Sequence, residues 1–282
     1  RVTLLPAQYV RPYVRRNKTD KADCAALLEA LRASDIKPVP IKTEHQQVIQ
    51  LMHRSRQQWQ HDRTARINLA RGILREFGVV VPEGAERGLK VMSAQLANDQ
   101  LDPNIRKLLR TILDEIDGFE QKVILLDRSL AALCESDPVL EKLESVPGVG
   151  WVTATALRAS VGDIHRFKDA RTLSSWIGFT PKETSSGSSR ILGGMSKRGD
   201  VYVRTLLIQG ARSVLAAARR KQQSGKPLDA LRQWALDLAD RRGFNKAAVG
   251  LANKLARIIW ATWKHDREFN GDHNLKHATA TA

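Results

Sequence analysis

Two glycine-containing turns and a run of hydroxyl side chains are the part of this sequence best suited to chemistry. The first turn lies in V-P-G-V-G-W-V-T-A-T-A-L (residues 146–157), and the second lies in G-G-M-S-K-R-G-D-V-Y-V-R (residues 193–204). Each leads into a helix-forming segment, so its backbone N–H groups and the helix dipole can face a phosphate. The hydroxyl run T-S-S-G-S-S (residues 184–189) lies between them. Serines between two such turns predict chemistry on a nucleic-acid backbone.

A serine hydroxyl attacks a phosphate only when a base or a positive environment activates it. No Ser-His-Asp arrangement can be inferred around this run. Four cations follow it closely, and we take them as candidate nucleic-acid contacts: Arg190, Lys197, Arg198 and Arg204. The alternative is a flexible loop rich in serine and glycine that has no catalytic role.

The turn at residues 146–150 resembles the hairpin of helix–hairpin–helix modules. Contacts to the DNA backbone carry no sequence information, and glycine N–H groups can make them. Gly148 and Gly150 are therefore candidate phosphate contacts. The alternative is a tight turn between two helices that binds no ligand.

Asp20 and Asp23 stand three residues apart at the predicted start of a helix, which places both carboxylates on one face. Paired carboxylates can bind Mg²⁺, and phosphoryl transfer commonly uses such ions. Arg15, Arg16 and Lys18 precede the pair and are candidate contacts to a phosphate beside it. Two alternatives stay open, namely acids that complement the helix dipole and surface ion pairs that contribute little.

The elements that must position these residues are predicted to be mainly α-helical. A short buried strand is expected at residues 2–5, a helix at 20–32, and long helices at 44–77 and 101–133. We divide the chain into an N-terminal segment, a pair of long helices, a compact helical domain and a disordered polar tail. These are residues 1–43, 44–137, 138–266 and 267–282.

Apolar residues in the second long helix repeat every three or four positions, as in a coiled coil. The predicted seam consists of Leu101, Ile105, Leu108, Ile112, Ile116, Phe119, Val123, Leu126, Leu130 and Leu133. This helix can pair with the first long helix as an antiparallel hairpin or with another subunit. The periodicity does not choose between these arrangements.

The charge of the chain indicates a polyanionic partner. Lys and Arg number 46 against 30 acids among 282 residues, which gives a net charge of +16. The alternative is a ribosomal or simply basic protein. No apolar run is long enough to span a membrane, and Cys24 and Cys134 form no disulfide framework or metal-spaced cluster. We expect a cytoplasmic, nucleoid-associated protein without a membrane partner.

Seven motifs occur in an order that resembles the DEDD-type insertion-sequence transposases, a family of bridge-RNA-guided recombinases. Besides the two turns, they are N-K-T-D-K-A-D (17–23), the long helical insertion, G-D-I-H-R-F-K-D-A-R (162–171), W-I-G-F-T-P-K-E-T-S-S-G (176–187) and F-N-K-A-A-V-G-L-A-N-K-L-A-R (244–257). The resemblance implies an α/β RuvC-like domain, a coiled-coil insertion and a transposase domain with a catalytic serine. Residues 1–43 would be the C-terminal remnant of the RuvC-like domain.

The same resemblance implies the site residues. Ser186, which directly precedes Gly187, matches the family serine best, and Ser185 is the second choice. Asp20 and Asp23 match the last two acids of the tetrad that binds Mg²⁺. The first Asp and the Glu would precede Arg1, so we expect a truncated and inactive chain. The implied partners are DNA, a guide RNA and further copies of the chain, as a dimer or tetramer.

Two other functions compete with transposition. One is a helix–hairpin–helix protein that binds nucleic acid without catalysis. The other is a metal-dependent junction nuclease in which the acids cut the strand and the serines have no role. A covalent protein–DNA adduct that depends on a serine would distinguish transposition from both.

Overall fold

The computed structural model describes residues 2–14 and 19–271. Helices dominate these ranges, and two short strands form their only sheet, so the predicted mainly α fold is confirmed. The chain divides into two compact units, residues 1–47 and 48–282. The division falls within the first turn of the long helix that begins at Glu44.

The first unit contains α1 (Ala7–Val10), a 3-10 turn (Arg11–Tyr13) and α2 (Asp20–Arg32). The strand expected at residues 2–5 is reduced to a single antiparallel bridge between Leu4 and Val39. Thr19 caps α2 by accepting a hydrogen bond from the Ala22 N–H at 3.2 Å, which satisfies one of the unpaired donors of the first turn.

Three helices build the central part of the chain: α3 (Glu44–Glu76), α4 (Ala85–Ala94) and α5 (Pro103–Ser136). Ion pairs join α3 to α5 in antiparallel order, namely Arg56–Asp127, Arg63–Glu120 and Arg66–Glu115. The two long helices therefore form a hairpin within one chain, the first of the two arrangements that the periodicity left open.

The packing of this hairpin differs from the predicted seam near the start of α5. Leu109 is fully buried, whereas Leu108 is 46% exposed, so the assignment of Leu108 to the seam is wrong. Two adjacent leucines fit the repeat equally well, and α5 turns Leu109 toward a cluster that includes Leu74 of α3 and Met92 of α4. Farther along α5, Phe119 is half-buried beside the ion pairs, and Leu130 is fully buried in a cluster with Ile49 of α3.

The remaining chain folds into a helical domain with one small sheet. Its elements are α6 (Pro138–Glu144), α7 (Trp151–Val161), α8 (Ala170–Ile177), β1 (Pro181–Glu183), β2 (Leu192–Met195), α9 (Val201–Gln223), α10 (Ala230–Arg242) and α11 (Phe244–Lys264). The apolar face of α11 lies at the centre of the core, with Leu251, Leu255 and Ile259 fully buried. β1 and β2 pair antiparallel, with Pro181 opposite Met195 and Glu183 opposite Leu192.

A buried histidine joins the long hairpin to the helical domain. His53 of α3 contacts the Tyr202 hydroxyl of α9 through Nδ1 and the Thr155 hydroxyl of α7 through Nε2, both at 3.0 Å. Burial, and secondarily the nearby Arg56, lowers the pKa of His53 from 6.5 to about 4. The neutral imidazole therefore links three helices across the junction.

The first residues of the predicted tail follow the surface of this domain. The Phe269 N–H donates to Ser145 Oγ at 2.9 Å, and Lys142 forms an ion pair with Asp266 at 2.6 Å. Residues 272–282 lie outside the described part of the chain, so the predicted disorder of the tail stays a prediction.

Candidate functional site

The predicted serine run lies at the tip of a β-hairpin, which we call the serine hairpin (residues 181–195). Ser186 and Ser189 exchange two backbone hydrogen bonds of 3.2 and 3.1 Å, so Gly187 and Ser188 form a two-residue turn. Gly187 has a φ of +55°, whereas Ser188 has a negative φ. This is a type II′ turn, which favours glycine at its first central position and matches the twist of a hairpin. The run therefore forms the tip of a β-hairpin.

Ser185 is held by its neighbours on the two strands. Its hydroxyl donates to Glu183 Oε1 at 2.8 Å and accepts the Ile191 N–H at 3.2 Å. Arg190 Nε donates to the same Glu183 oxygen at 3.1 Å. The Ser185 bond first, and the Arg190 charge second, lower the pKa of Glu183, so its carboxylate stays ionised. Arg190 and Ser185 thus fasten the two strands together below the tip.

Ser186 differs from Ser185 in what its hydroxyl contacts. The residue is exposed, and among the described residues its Oγ has no hydrogen-bond partner. The hydroxyl of Ser186 is therefore free to meet a ligand at the hairpin tip, while that of Ser185 already has two partners.

The S-K-R-G turn packs against the end of α8. A side chain at Gly199 would overlap the Trp176 carbonyl, and one at Gly178 would approach the Arg198 backbone nitrogen to 3.0 Å. Lys197 adopts a left-handed φ of +57°. Lys197 and Arg198 are both exposed, and neither has an ion-pair partner within the described ranges. These two cations at the base of the serine hairpin are available to a phosphate.

Arg204 has a different environment from the other predicted cations. It is only 7% exposed, and its Nη1 donates to the Ile177 carbonyl at 2.9 Å. This bond satisfies a carbonyl at the C-terminal end of α8, where no helical N–H is available. Arg204 therefore holds the base of the serine hairpin, and its side chain is not exposed to a phosphate as those of Lys197 and Arg198 are.

Sequence reasoning missed Asp200, which positions the start of α9. Its Oδ1 accepts the Tyr202 and Val203 N–H groups at 2.9 and 3.0 Å, and its Oδ2 accepts the Ser160 hydroxyl at 2.9 Å. The signal was present, since an Asp directly before an apolar helix is a common N-cap. Glu183 was also missed, and no spacing rule marks it.

The predicted helix–hairpin–helix turn connects α6 and α7 and packs against α9. Gly148 has a φ of +79°, and a Cβ there would lie 2.7 Å from the Gly210 carbonyl oxygen. Gly150 is exposed at the N-cap of α7, with no atom near its missing side chain. Close packing explains the glycine at 148. The backbone at Gly150 remains open to a ligand.

The acidic pair lies in the first turn of α2, with Asp20 exposed and Asp23 partly buried. Arg15, Arg16 and Lys18 lie outside the described residues. Across the described ranges, no group of three or more His, Cys, Asp or Glu side chains could hold a metal ion. Mg²⁺ requires near-octahedral oxygen coordination, so the pair alone does not complete a site.

Within residues 2–14 and 19–271, no helix has the length and apolar character needed to cross a membrane.

Two family models match this chain. One, described as "Transposase IS116/IS110/IS902 family", matches residues 140–226, which contain the turn at Gly148 and the serine hairpin. The other, the DEDD transposase model of the IS110 type, matches residues 2–79, which contain the acidic pair.

Curated relatives extend the similarity to nearly the whole chain. The transposase for insertion sequence element IS1111A of Coxiella burnetii is 38% identical over 260 residues, covering 92% of this chain and 70% of the relative. A probable family 20 transposase of Pseudomonas aeruginosa is 38% identical over 92% of this chain and 76% of its own length. The transposase for IS1328 of Yersinia enterocolitica is 32% identical, with 92% and 75% covered. This chain belongs to the IS110/IS116 family of DEDD insertion-sequence transposases, enzymes that cut and rejoin DNA.

Proposed function

We propose that this transposase cuts and rejoins DNA through a covalent serine intermediate, with Ser186 as the nucleophile. Ser186 Oγ attacks a DNA phosphorus, an Oγ–P bond forms, and the bond from phosphorus to one deoxyribose oxygen breaks. The serine loses its hydroxyl proton and the leaving oxygen gains one, so no outside reactant is consumed. The phosphoserine link keeps the ester bond for rejoining, whereas attack by water would only cut the strand.

The different contacts of the two serine hydroxyls carry this proposal. Ser185 Oγ is occupied by Glu183 and Ile191, whereas Ser186 Oγ is exposed at the tip without a partner in the described chain. Lys197 and Arg198 supply unpaired positive charge at the hairpin base. Such charge stabilises the negative charge that develops on a phosphate under attack.

We also propose that Asp20 and Asp23 contribute to a Mg²⁺ site that further carboxylates complete, and that this acidic site assists the serine of another subunit in a dimer or tetramer. A bound Mg²⁺ would neutralise phosphate charge. Because the two carboxylates do not make a site by themselves, we expect the 282-residue polypeptide alone to be nearly inactive.

We further propose that a guide RNA selects the DNA site and that the protein works at the nucleoid, where its substrate lies. The net charge of +16 supports binding to both polyanions.

Trapping of the covalent adduct tests the serine mechanism. The assay uses a chimera in which the N-terminal segment of a relative precedes this chain, and it detects DNA that stays attached to protein after denaturation. Ser186→Ala should abolish the adduct and leave DNA affinity nearly unchanged, because one hydroxyl contributes little to a backbone-dominated interface. Ser185→Ala should reduce the adduct less, since that hydroxyl only fastens the strands. The unextended chain should form little adduct.

Three outcomes would contradict the proposal. An adduct that survives Ser186→Ala but not Ser185→Ala would make Ser185 the nucleophile. Mg²⁺-dependent cutting without any adduct would favour the junction nuclease. DNA binding without cutting by the chimera would favour the non-catalytic helix–hairpin–helix protein.

A further inference from the structure

A groove of about 1010 Å³ lies on the helical domain and shares no residue with the serine hairpin. Its walls are the start of α8, one face of α11 and the segment at residues 267–271. The volume is at the upper end of the range for ligand-binding clefts. The groove is therefore large enough to hold more than one nucleotide unit.

Four cations line this groove, and we call them the groove cations: Arg171, Lys254, Arg257 and Arg267. No ion pair joins any of them to an acid within the described residues. Lys254 and Arg257 are three residues apart on α11, where like charges repel. The lining acids are Asp169, whose carboxylate caps α8 through Thr172, and Glu268. The groove therefore carries an excess of positive charge that a bound anion would offset.

Lys254 is held in place within this cluster. Its ammonium lies 4.1 Å from the centroid of the Trp234 ring, a favourable cation–π position. Burial first, and the nearby Arg257 second, lower the pKa of Lys254. A fixed cation loses less conformational entropy on binding an anion than a freely moving one does.

The floor of the groove is apolar and its third wall is anchored. Three half-buried residues of the lining, Ile258, Trp260 and Phe269, supply this apolar surface, which we call the apolar floor. The wall is fixed by the hydrogen bond from the Phe269 N–H to Ser145 and by the ion pair between Lys142 and Asp266. Apolar surface beside cations suits a strand whose bases are exposed, whereas a duplex presents mainly phosphates to a protein groove.

We propose that this groove binds an unpaired DNA strand, with phosphates on the groove cations and bases against the apolar floor. DNA is the occupant because enzymes of this family cut and rejoin DNA, and the ends released between these steps must be held. The inference rests on that activity and not on Ser186. The groove would thus retain a released strand at a site separate from the serine hairpin.

Fluorescence anisotropy with a labelled oligothymidine of about 10 nucleotides tests this site, since groove-type sites for single strands span about 4–16 nucleotides. The test variant is Arg171→Gln with Arg257→Gln, because both side chains are exposed and the fold should tolerate the change. The control is Arg110→Gln with Arg128→Gln, which removes the same charge from exposed positions of α5. Circular dichroism melting should show both variants folded as the parent.

The groove variant should bind the unpaired strand about tenfold more weakly, while the control should change affinity less than about twofold. The slope of log affinity against log salt should fall by about 0.7 for each lost phosphate contact. Equal weakening in both variants would overturn the proposal, because only overall charge would then matter. A larger loss for duplex DNA or for RNA of matched sequence would overturn it as well. No cleavage is measured, so failure here leaves the serine mechanism untouched.

Discussion

Acidification should destabilise the helical domain through His53, the buried histidine between α3, α7 and α9. Its side chain is 4% exposed, and its pKa is lowered from 6.5 to about 4. Burial is the main cause, Arg56 adds repulsion of the imidazolium, and Asp127 acts in the opposite direction. Each pKa unit corresponds to about 1.4 kcal/mol, so protonating His53 costs about 3 kcal/mol more in the folded chain than in the unfolded chain.

The sign of the effect follows from proton binding. Between pH 6.5 and about 4 the unfolded chain binds a proton at His53 and the folded chain does not. The free energy of unfolding therefore falls as the pH drops through this window. The contribution of His53 is complete above pH 6.5 and is lost, by about 3 kcal/mol, near pH 4.

Urea unfolding followed by circular dichroism across this window measures the effect. His53→Gln should remove this part of the pH dependence, because glutamine does not titrate. At neutral pH the same variant should cost about 1–3 kcal/mol, since it disturbs buried hydrogen bonds to Tyr202 and Thr155. His61→Gln changes an exposed histidine of the same helix and should keep the parent pH dependence. If His53→Gln and the parent lost stability in parallel between pH 6.5 and 4, His53 would not be a buried neutral link.

Two further pairs of substitutions test the packing. Leu109→Ala should lower the free energy of unfolding by about 2–4 kcal/mol because it leaves a cavity, and Leu108→Ala by less than about 1 kcal/mol. Equal losses in urea unfolding would indicate that Leu108 is packed, as the predicted seam requires. Gly148→Ala should cost about 2–4 kcal/mol, since its φ is +79° and its Cβ would lie 2.7 Å from the Gly210 carbonyl oxygen. Gly150→Ala has open space and should leave the melting temperature within a few degrees. Similar melting temperatures for both variants would show that the turn is not packed.

The sequence by itself determined the helical character of the chain and its division into long helices. Apolar periodicity and N-cap residues are local signals, and they predicted α2 at Asp20–Arg32 and the stop of α3 near Gly78. Charge also needs no structure, since 46 basic side chains against 30 acids predict a polyanionic partner. The ordered motifs indicated the transposase family, which the comparisons confirm.

Only the tertiary structure decided which members of each motif face inward. Leu108 and Leu109 satisfy the same repeat, and the contacts with α3 and α4 select Leu109. Arg204 belongs by sequence to a basic cluster, yet it is buried against the Ile177 carbonyl. Ser185 and Ser186 are chemically identical neighbours, and alternation along the hairpin gives the Ser185 hydroxyl two partners and leaves the Ser186 hydroxyl without one in the described chain. Contacts between segments far apart in the chain settle these choices, and a local pattern carries no information about such contacts.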